Sequence, residues 1–281
     1  MPDTRKLSFI GLGPQRTASS WLDKRLRDHP RLRLPAMVKE TMFFDERYDK
    51  GMDWYWSHFE QPEEDVLYGE IAPTYFDVDE VRQRIKVYEG LKLIINLRNP
   101  IARAYSLYNL HLVKGRVEGD YFSAISQMPR IETSGAFSRL CPQWEEAFGQ
   151  DNVLYLVQED IIDDPQKSID RVTDFLGIEA ISLGAEAKER FNKSYKPRYP
   201  TLAKWSGPLT TRLREYRLHY VVEFAKKLGM KKILHGGEDN RMPKEVFEHL
   251  AKVHAEDITY VEERLGCSFP QWRDYDYASR N

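Results

Sequence analysis

One early loop combines small, hydroxyl-bearing and cationic residues in the way that an anion site requires. Gly13 and Pro14 break a short apolar run, Arg16 adds a fixed positive charge, and Ser19 and Ser20 open a segment with helical spacing. Backbone N–H groups and the positive end of a helix dipole favour phosphate-like groups at such a junction. The loop therefore predicts an anion-binding cradle, and an ordinary turn between a strand and a helix is the alternative. A Walker A loop is excluded, because no Gly-Lys pair follows at the required spacing.

A second group of anion ligands follows the aliphatic run Leu93–Leu97. Arg98 comes directly after this run, which has the composition of a central parallel strand buried on both faces. Open α/β sheets bind ligands at the carboxyl ends of their strands. Asn99 and Pro100 predict a helix start, and Ser106 lies two turns into that helix. The arginine has planar, charge-assisted donors and the serine a hydroxyl, although an arginine after a strand is commonplace by itself.

Glu40 and His111 are two titratable side chains that the sequence singles out. Glu40 and its neighbour Lys39 precede Phe43 and Phe44, whose burial would hold both charges at the rim of the pocket onto which the cradle opens. A solvated surface pair is the alternative interpretation. His111 lies about 140° around the predicted helix from the serine of the second group of anion ligands. It is a reserve base, and a structural role is the commoner one for a lone histidine.

Strand-like and helical patterns alternate along most of the chain, which predicts an α/β fold with a central parallel sheet flanked by helices. Strands are expected at Leu7–Ile10, Leu93–Leu97 and Asn152–Val157, and helices at Trp21–Arg27, after Asn99, through Gly177 and over 202–234, with one or two helices over 242–266. No repeat or low-complexity linker interrupts the chain. Residues 1–281 are therefore predicted to form a single domain with a helical C-terminal part.

The composition limits the possible partners. The 281 residues are 41% hydrophobic and 12% aromatic, which indicates a globular chain with a sizeable core. A net charge of −2 gives no general attraction to nucleic acid or anionic membranes, so any anion site must be local. No stretch approaches about 18 apolar residues and no apolar leader follows Met1, so neither a membrane span nor a signal peptide is predicted. Cys141 and Cys267 form neither a disulfide framework nor a metal motif, and a cytoplasmic location is expected.

The first loop resembles the 5′-phosphosulfate loop of sulfotransferases that use 3′-phosphoadenylyl sulfate (PAPS), which is written G-x-x-[KR]-x-G-[ST]-[ST]-x-L. Five residues match this pattern: Gly13, Arg16, Ser19, Ser20 and Leu22. Arg16 stands where many members have lysine, and Ala18 where most have glycine. An alanine at this place requires either a negative φ or a strained backbone. The resemblance is specific over residues 9–22 and 91–108, covers most of the chain, and implies a P-loop-like, three-layer fold.

The resemblance implies that the chain binds PAPS as its co-substrate and releases adenosine 3′,5′-bisphosphate. The first loop would hold the 5′-phosphosulfate through Gly13, Pro14, Gln15, Arg16, Thr17, Ala18, Ser19 and Ser20. Arg98 and Ser106 would bind the 3′-phosphate, together with a basic loop that carries Lys196 and Arg198. A solvated basic loop is the alternative for that last segment. This chemistry requires no metal.

Catalytic roles also follow from the resemblance. A Lys-Glu-x-x-Phe-Phe element supplies the carboxylate that takes the acceptor proton, which is Glu40 here. Arg16 would stabilise charge on the bridging oxygen. Met42 stands where the heparan-type enzymes have histidine. The candidates for contact with the acceptor are Lys39, Glu70, Tyr75 and His111.

Three functions stay open from the sequence. The resemblance implies transfer of the PAPS sulfuryl group to a hydroxyl of a carbohydrate or small natural product, with a lipid hydroxyl also open. A P-loop kinase is the alternative enzyme, but it would need a Gly-Lys-[ST] loop and a strand-end acid for Mg²⁺, whereas Arg98 follows the relevant strand. A non-catalytic nucleotide-binding protein of the same fold is the third possibility, because Ala18 and Met42 depart from the family pattern.

Overall fold

The computed structural model describes residues 5–184 and 241–280. The strands in this part of the chain are β1 (Leu7–Leu12), β2 (Leu32–Arg33), β3 (Leu67–Ile71), β4 (Lys92–Leu97) and β5 (Val153–Val157). The helices are α1 (Ser19–Arg27), α2 (Phe43–Glu46), α3 (Gly51–Trp56), α4 (Asp79–Ile85), α5 (Pro100–Val113), α6 (Tyr121–Gln127), α7 (Arg130–Thr133), α8 (Phe137–Phe148), α9 (Gln158–Asp163), α10 (Pro165–Leu176), α11 (Lys244–Val253), α12 (Ala255–Leu265) and α13 (Tyr275–Arg280). Short 3₁₀ helices cover Tyr48–Lys50, Pro73–Tyr75, Gln150–Asn152 and Pro270–Arg273.

The five strands form one parallel sheet in the order β2-β3-β1-β4-β5. Phe9 of β1 pairs with Lys92 of β4, and Leu93 of β4 pairs with Val153 of β5. The predicted central parallel sheet flanked by helices is confirmed. Because parallel strands end at the same edge of a sheet, the loop after β1 and the residue after β4 lie at one edge.

The central strands owe their position to apolar side chains on both faces. Leu93, Ile94 and Ile95 of β4 are fully buried, as expected of a parallel strand covered on both sides. Ile94 belongs to a core cluster that also contains Trp21 and Leu22 of α1. Each such side chain stabilises the fold by roughly 1.5–3 kcal/mol when it leaves water. This packing fixes α1 against the sheet, with its first turn directly after the predicted anion loop.

The described residues form two compact units. The sheet unit comprises residues 5–98 and 136–184, and the helical unit comprises residues 99–135 and 241–280. The single-domain organisation of the whole chain stays a prediction.

The helical unit is built around α5. Asn99 caps this helix, because its Oδ1 accepts from the backbone N–H of Ile101 at 2.9 Å and of Ala102 at 3.3 Å. The predicted cap and helix start are thereby confirmed. The fully buried Arg103 donates to the carbonyl oxygen of Ile131 at 2.6 Å and ties α5 to α7. Helices α11 and α13 also contact α5.

Most of the predicted elements are found where the sequence placed them. Strand β5 and helices α1 and α10 match their predicted ranges to within two residues at each described boundary. The predicted helical stretch 242–266 is two helices, α11 and α12, separated at His254. The predicted helix over 202–234 lies outside the described residues. No helix within residues 5–184 and 241–280 is both long enough and apolar enough to cross a membrane.

Candidate active site

Side chains from the end of β4 hold the loop after β1. Asn96 donates from Nδ2 to the carbonyl oxygen of Thr17 at 2.9 Å, and Arg98 donates from Nη1 to that of Arg16 at 2.9 Å. Within the loop, Thr17 Oγ1 donates to the carbonyl oxygen of Pro14 at 2.7 Å. Asn96, Arg98 and Thr17 are all buried. The loop is therefore braced by hydrogen bonds from a neighbouring strand.

The backbone of this loop has three residues with positive φ. Gly13 has φ +102°, and a Cβ there would lie 2.3 Å from the carbonyl oxygen of Asn96, so only glycine fits. Arg16 (φ 79°) and Ala18 (φ 64°) are also left-handed. Of the two conformations open to Ala18, the chain adopts the strained one. Left-handed residues in a turn direct successive N–H groups into an anion-binding concavity.

Helix α1 adds its own N–H groups to this concavity. It begins at Ser19, and its N-cap Ala18 contributes no side-chain hydrogen bond to the first turn. The first N–H groups of a helix have no partner within the helix and carry its positive partial charge. A phosphate-like group fits this end of α1 by hydrogen bonding and by charge.

Arg16 brings a full positive charge to the same loop. Desolvation by burial lowers the pKa of its guanidinium. An arginine nevertheless keeps its proton at neutral pH. A cation that has lost part of its water interacts more strongly with an anion than a fully hydrated one does. The residues of the loop therefore fit the 5′-phosphosulfate of PAPS.

The predicted base lies beside the same helix. Lys39 Nζ is 2.9 Å from Glu40 Oε1 and 3.1 Å from Ser19 Oγ in the first turn of α1. About a quarter of each charged side chain is exposed, 25% for Lys39 and 24% for Glu40, so both are accessible to a substrate. The structure thus brings together two features that the sequence singled out separately, the Lys39-Glu40 pair and Ser19 of the anion loop. The alternative of a purely solvated pair does not account for the contact with Ser19.

Phe43 and Phe44 anchor the segment that carries Glu40. Both rings are fully buried and meet edge to face at 4.9 Å between centroids. Tyr55 of α3 packs against both, at 5.0 Å and 5.2 Å. The predicted burial of the phenylalanine pair is confirmed.

Glu70 and Tyr75, two of the predicted acceptor contacts, lie beneath this segment. Both are fully buried. The Glu70 carboxylate accepts from the backbone N–H of Thr41 at 3.1 Å, from its hydroxyl at 2.9 Å, and from the Tyr75 hydroxyl at 2.7 Å. Burial raises the pKa of Glu70 to about 7, against the opposing effect of these hydrogen bonds. Desolvation by burial, with the neighbouring Glu70 charge, raises the pKa of Tyr75 well above its ordinary value.

The remaining predicted residues lie in several parts of the chain. Arg98 is a buried residue of the sheet unit, whereas Ser106 is buried in α5 of the helical unit, so their shared 3′-phosphate contact stays a prediction. His111 is also buried in α5, and burial, followed by the charges of Arg116, Lys114 and Arg130, lowers its pKa to about 4. Lys196 and Arg198 lie outside the described residues.

Sequence reasoning missed Asn96 and Thr41. Asn96 interrupts the aliphatic run of β4, and a buried amide in a central strand must find a hydrogen-bond partner. That signal was present in the sequence, but it does not identify the segment that supplies the partner. Thr41 carries no comparable signal, because it does not lie in an apolar strand pattern that would predict its burial; its partner Glu70 is 29 residues away.

The match to known proteins agrees with this geometry. A sulfotransferase domain matches residues 8–259. The chain therefore belongs to the sulfotransferase family, whose members use PAPS as the sulfuryl donor. The predicted family is confirmed, and the predicted donor is the one that this family uses.

Several relatives act on heparan sulfate according to their names. The chain is 31% identical over 209 residues to human heparan sulfate glucosamine 3-O-sulfotransferase 3B1, an alignment that covers 70% of this chain and 52% of that protein. It is 30% identical over 193 residues to human bifunctional heparan sulfate N-deacetylase/N-sulfotransferase 2, covering 60% of this chain and 22% of that one. The chain thus spans about half the length, or less, of these relatives.

A solved structure shares the fold. The sulfotransferase from Alicyclobacillus acidocaldarius superposes with a TM-score of 0.67, covering 96% of this chain and 100% of that one, at 18% identity. At that identity the likeness establishes the three-layer α/β architecture and leaves the acceptor open.

Proposed function

We propose that this protein transfers the sulfuryl group of PAPS to an acceptor hydroxyl and that Glu40 is the base. One observation carries the proposal. Lys39 Nζ lies 3.1 Å from Ser19 Oγ, at the end of the predicted anion loop, and 2.9 Å from Glu40 Oε1. A candidate base is thereby held next to the loop that fits the 5′-phosphosulfate.

The chemistry requires positioning and charge stabilisation more than covalent participation of the protein. PAPS supplies a sulfuryl group on a phosphate leaving group. As the acceptor oxygen bonds to sulfur, the bond from sulfur to the bridging oxygen breaks, and the acceptor proton passes to Glu40. Arg16 stabilises the negative charge that develops on the bridging oxygen, and Ser19 and Ser20 hold the 5′-phosphate.

The acceptor class that we propose is a carbohydrate hydroxyl. The named substrates of the heparan sulfate relatives support this choice, as does the Lys39-Glu40 element with Phe43 and Phe44. A hydroxyl of a small natural product is the second possibility.

We also propose a cytoplasmic location, supported only by the two widely spaced cysteines of the sequence.

The test is direct incubation with PAPS and pools of candidate acceptors. Mass spectrometry should show an acceptor that gains one sulfuryl group, with release of adenosine 3′,5′-bisphosphate. Glu40→Gln is the control, because it keeps the size of the side chain and removes its basicity. Phosphoryl transfer from ATP in the same pools, without sulfuryl transfer from PAPS, would contradict the proposal and favour the kinase alternative.

A further inference from the structure

The segment from Glu40 to Phe44 is held from below by two side chains. The Tyr75 hydroxyl accepts from the backbone N–H of Phe43 at 3.0 Å and of Phe44 at 3.2 Å. Glu70 accepts from the backbone N–H of Thr41 at 3.1 Å. Three N–H groups within four consecutive residues are therefore bound to side chains from β3 and the 3₁₀ helix after it.

This anchorage replaces regular secondary structure where the chain turns sharply. Met42 has φ 55°, a left-handed conformation that is unfavourable for a residue with a Cβ. Helix α2, which follows, has only four residues and cannot fix its own first turn. The bonds to Glu70 and Tyr75 satisfy the N–H groups of this segment, and Arg47 and Arg84 donate to the carbonyl oxygens of Thr41 and Phe44.

The contribution of Glu70 to stability alone does not explain why this residue is buried. Its carboxyl is fully buried, and its hydrogen-bond partners in the described part of the chain are Thr41 and Tyr75, with no basic side chain among them. A buried carboxyl without a cation costs free energy that an apolar residue of similar size would not. A role in fixing the geometry of the neighbouring segment explains why a carboxyl stands there.

We propose that Glu70 and Tyr75 are positioning residues that fix the backbone on which Glu40 stands and so aim its carboxylate at the acceptor hydroxyl. This inference rests on the proposed function of Glu40 as the base. Thr41, which is bonded to Glu70 through both its N–H and its hydroxyl, is the link between the two carboxyl-bearing residues.

Two matched hydroxyl deletions test the proposal. Tyr75 and Tyr55 are both fully buried and both pack against Phe44. Only the Tyr75 hydroxyl bonds to the Glu40 segment, whereas the Tyr55 hydroxyl has no hydrogen-bond partner in the described part of the chain. Tyr75→Phe should lower kcat roughly 10–100-fold, as expected when a reacting group is displaced, with KM for PAPS unchanged within about twofold. Tyr55→Phe should leave kcat unchanged. Equal kcat values for the two variants would overturn the proposal.

A double-variant cycle separates positioning from general damage. If Tyr75 acts through Glu40, Tyr75→Phe should cause no further loss of kcat in a Glu40→Gln background. Glu70→Gln, which keeps the shape of the side chain but presents an N–H₂ group to the segment, should behave in the same way. Losses that multiply in the double variants would show that Glu70 and Tyr75 act elsewhere and would refute the inference.

Hydrogen exchange provides a measurement that does not depend on activity. The N–H group of Phe44 should exchange at least tenfold faster in Tyr75→Phe than in Tyr55→Phe, because the Tyr75 hydroxyl is its acceptor. The N–H group of Phe43 should change less, because it keeps the Thr41 hydroxyl as a second acceptor at 3.2 Å. Unchanged exchange would overturn the inference even if the wild-type protein transfers sulfuryl groups. Faster exchange together with no sulfuryl transfer by the wild type would leave the anchorage standing and contradict the proposed function instead.

Discussion

The left-handed backbone at Ala18 gives a prediction about stability that can be isolated by a matched pair of variants. Alanine at positive φ brings its Cβ close to the following carbonyl oxygen, at a cost of about 1–2 kcal/mol, and Ala18 has φ 64°. Ala18→Gly removes this strain. The same change also removes a methyl group and increases the freedom of the unfolded chain by an amount worth about 0.4–1 kcal/mol.

Ala147 in α8 provides the comparison, because Ala147→Gly loses the same methyl group and adds the same freedom without relieving strain. Both alanines are half-buried, so these two terms nearly cancel in the difference. The free energy of unfolding of Ala18→Gly should therefore be about 1–2 kcal/mol higher than that of Ala147→Gly.

Guanidinium-induced unfolding followed by circular dichroism measures this difference. Gly13→Ala should show the opposite effect, a loss of roughly 2–4 kcal/mol, since its Cβ would lie 2.3 Å from the Asn96 carbonyl oxygen. If Ala18→Gly and Ala147→Gly were equally destabilised, the strain assigned to Ala18 would be refuted.

Four further predictions concern the charged residues. Arg16→Ala should lower turnover by roughly 10²–10³ while Arg16→Lys keeps much of it; normal turnover by the alanine variant would show that the loop is misassigned. Glu40→Gln should lower turnover by about 10²–10⁴ with PAPS binding retained in calorimetry, and His111→Ala should be mild; the reverse pattern would make His111 the base. Arg98→Ala should abolish the preference for adenosine 3′,5′-bisphosphate over AMP and weaken the binding free energy of the bisphosphate by about 2–4 kcal/mol in calorimetry. A preference that persists in this variant would show that the 3′-phosphate binds elsewhere. Folding raises the pKa of Glu70 from 4.5 to about 7, so between these pH values the folded state keeps a proton that the unfolded state has released. The free energy of unfolding of the wild type, relative to that of Glu70→Gln, should therefore decrease as the pH rises from 4.5 to 7 in urea titrations. A difference that does not depend on pH would contradict the burial effect.

Local signals in the sequence were sufficient for β1, β4 and β5 and for the position of the first loop. The apolar runs of β1 and β4 specify buried parallel strands without help from distant residues, and Asn99 with Pro100 specifies the start of α5. Gly13 likewise marks the tight approach of the loop to β4. Because patterns of this kind involve residues only a few positions apart, they can be read from a single sequence.

The supports of the site depend on pairs that are far apart in sequence. Asn96 and Thr17 are 79 residues apart, and Thr41 and Glu70 are 29 apart. The left-handed φ of Arg16 was not predicted either, because it results from loop contacts that propensity does not encode. Sequence patterns gave predictions for the residues that would touch the substrates, whereas the residues that hold these emerged from the three-dimensional structure.

The hydrogen bonds from β4 to the first loop have a consequence for the direction of its amides. In a planar trans peptide, the carbonyl of one residue and the N–H of the next point in opposite directions. Arg98 draws the carbonyl of Arg16 towards β4, so the N–H of Thr17 must face away from it. Asn96 does the same for the carbonyl of Thr17 and thereby turns the N–H of Ala18 outward. Polar side chains on one strand thus set which way the amides of another segment point, so the loop sequence grafted onto a scaffold without Asn96 and Arg98 would keep its residues and lose their orientation.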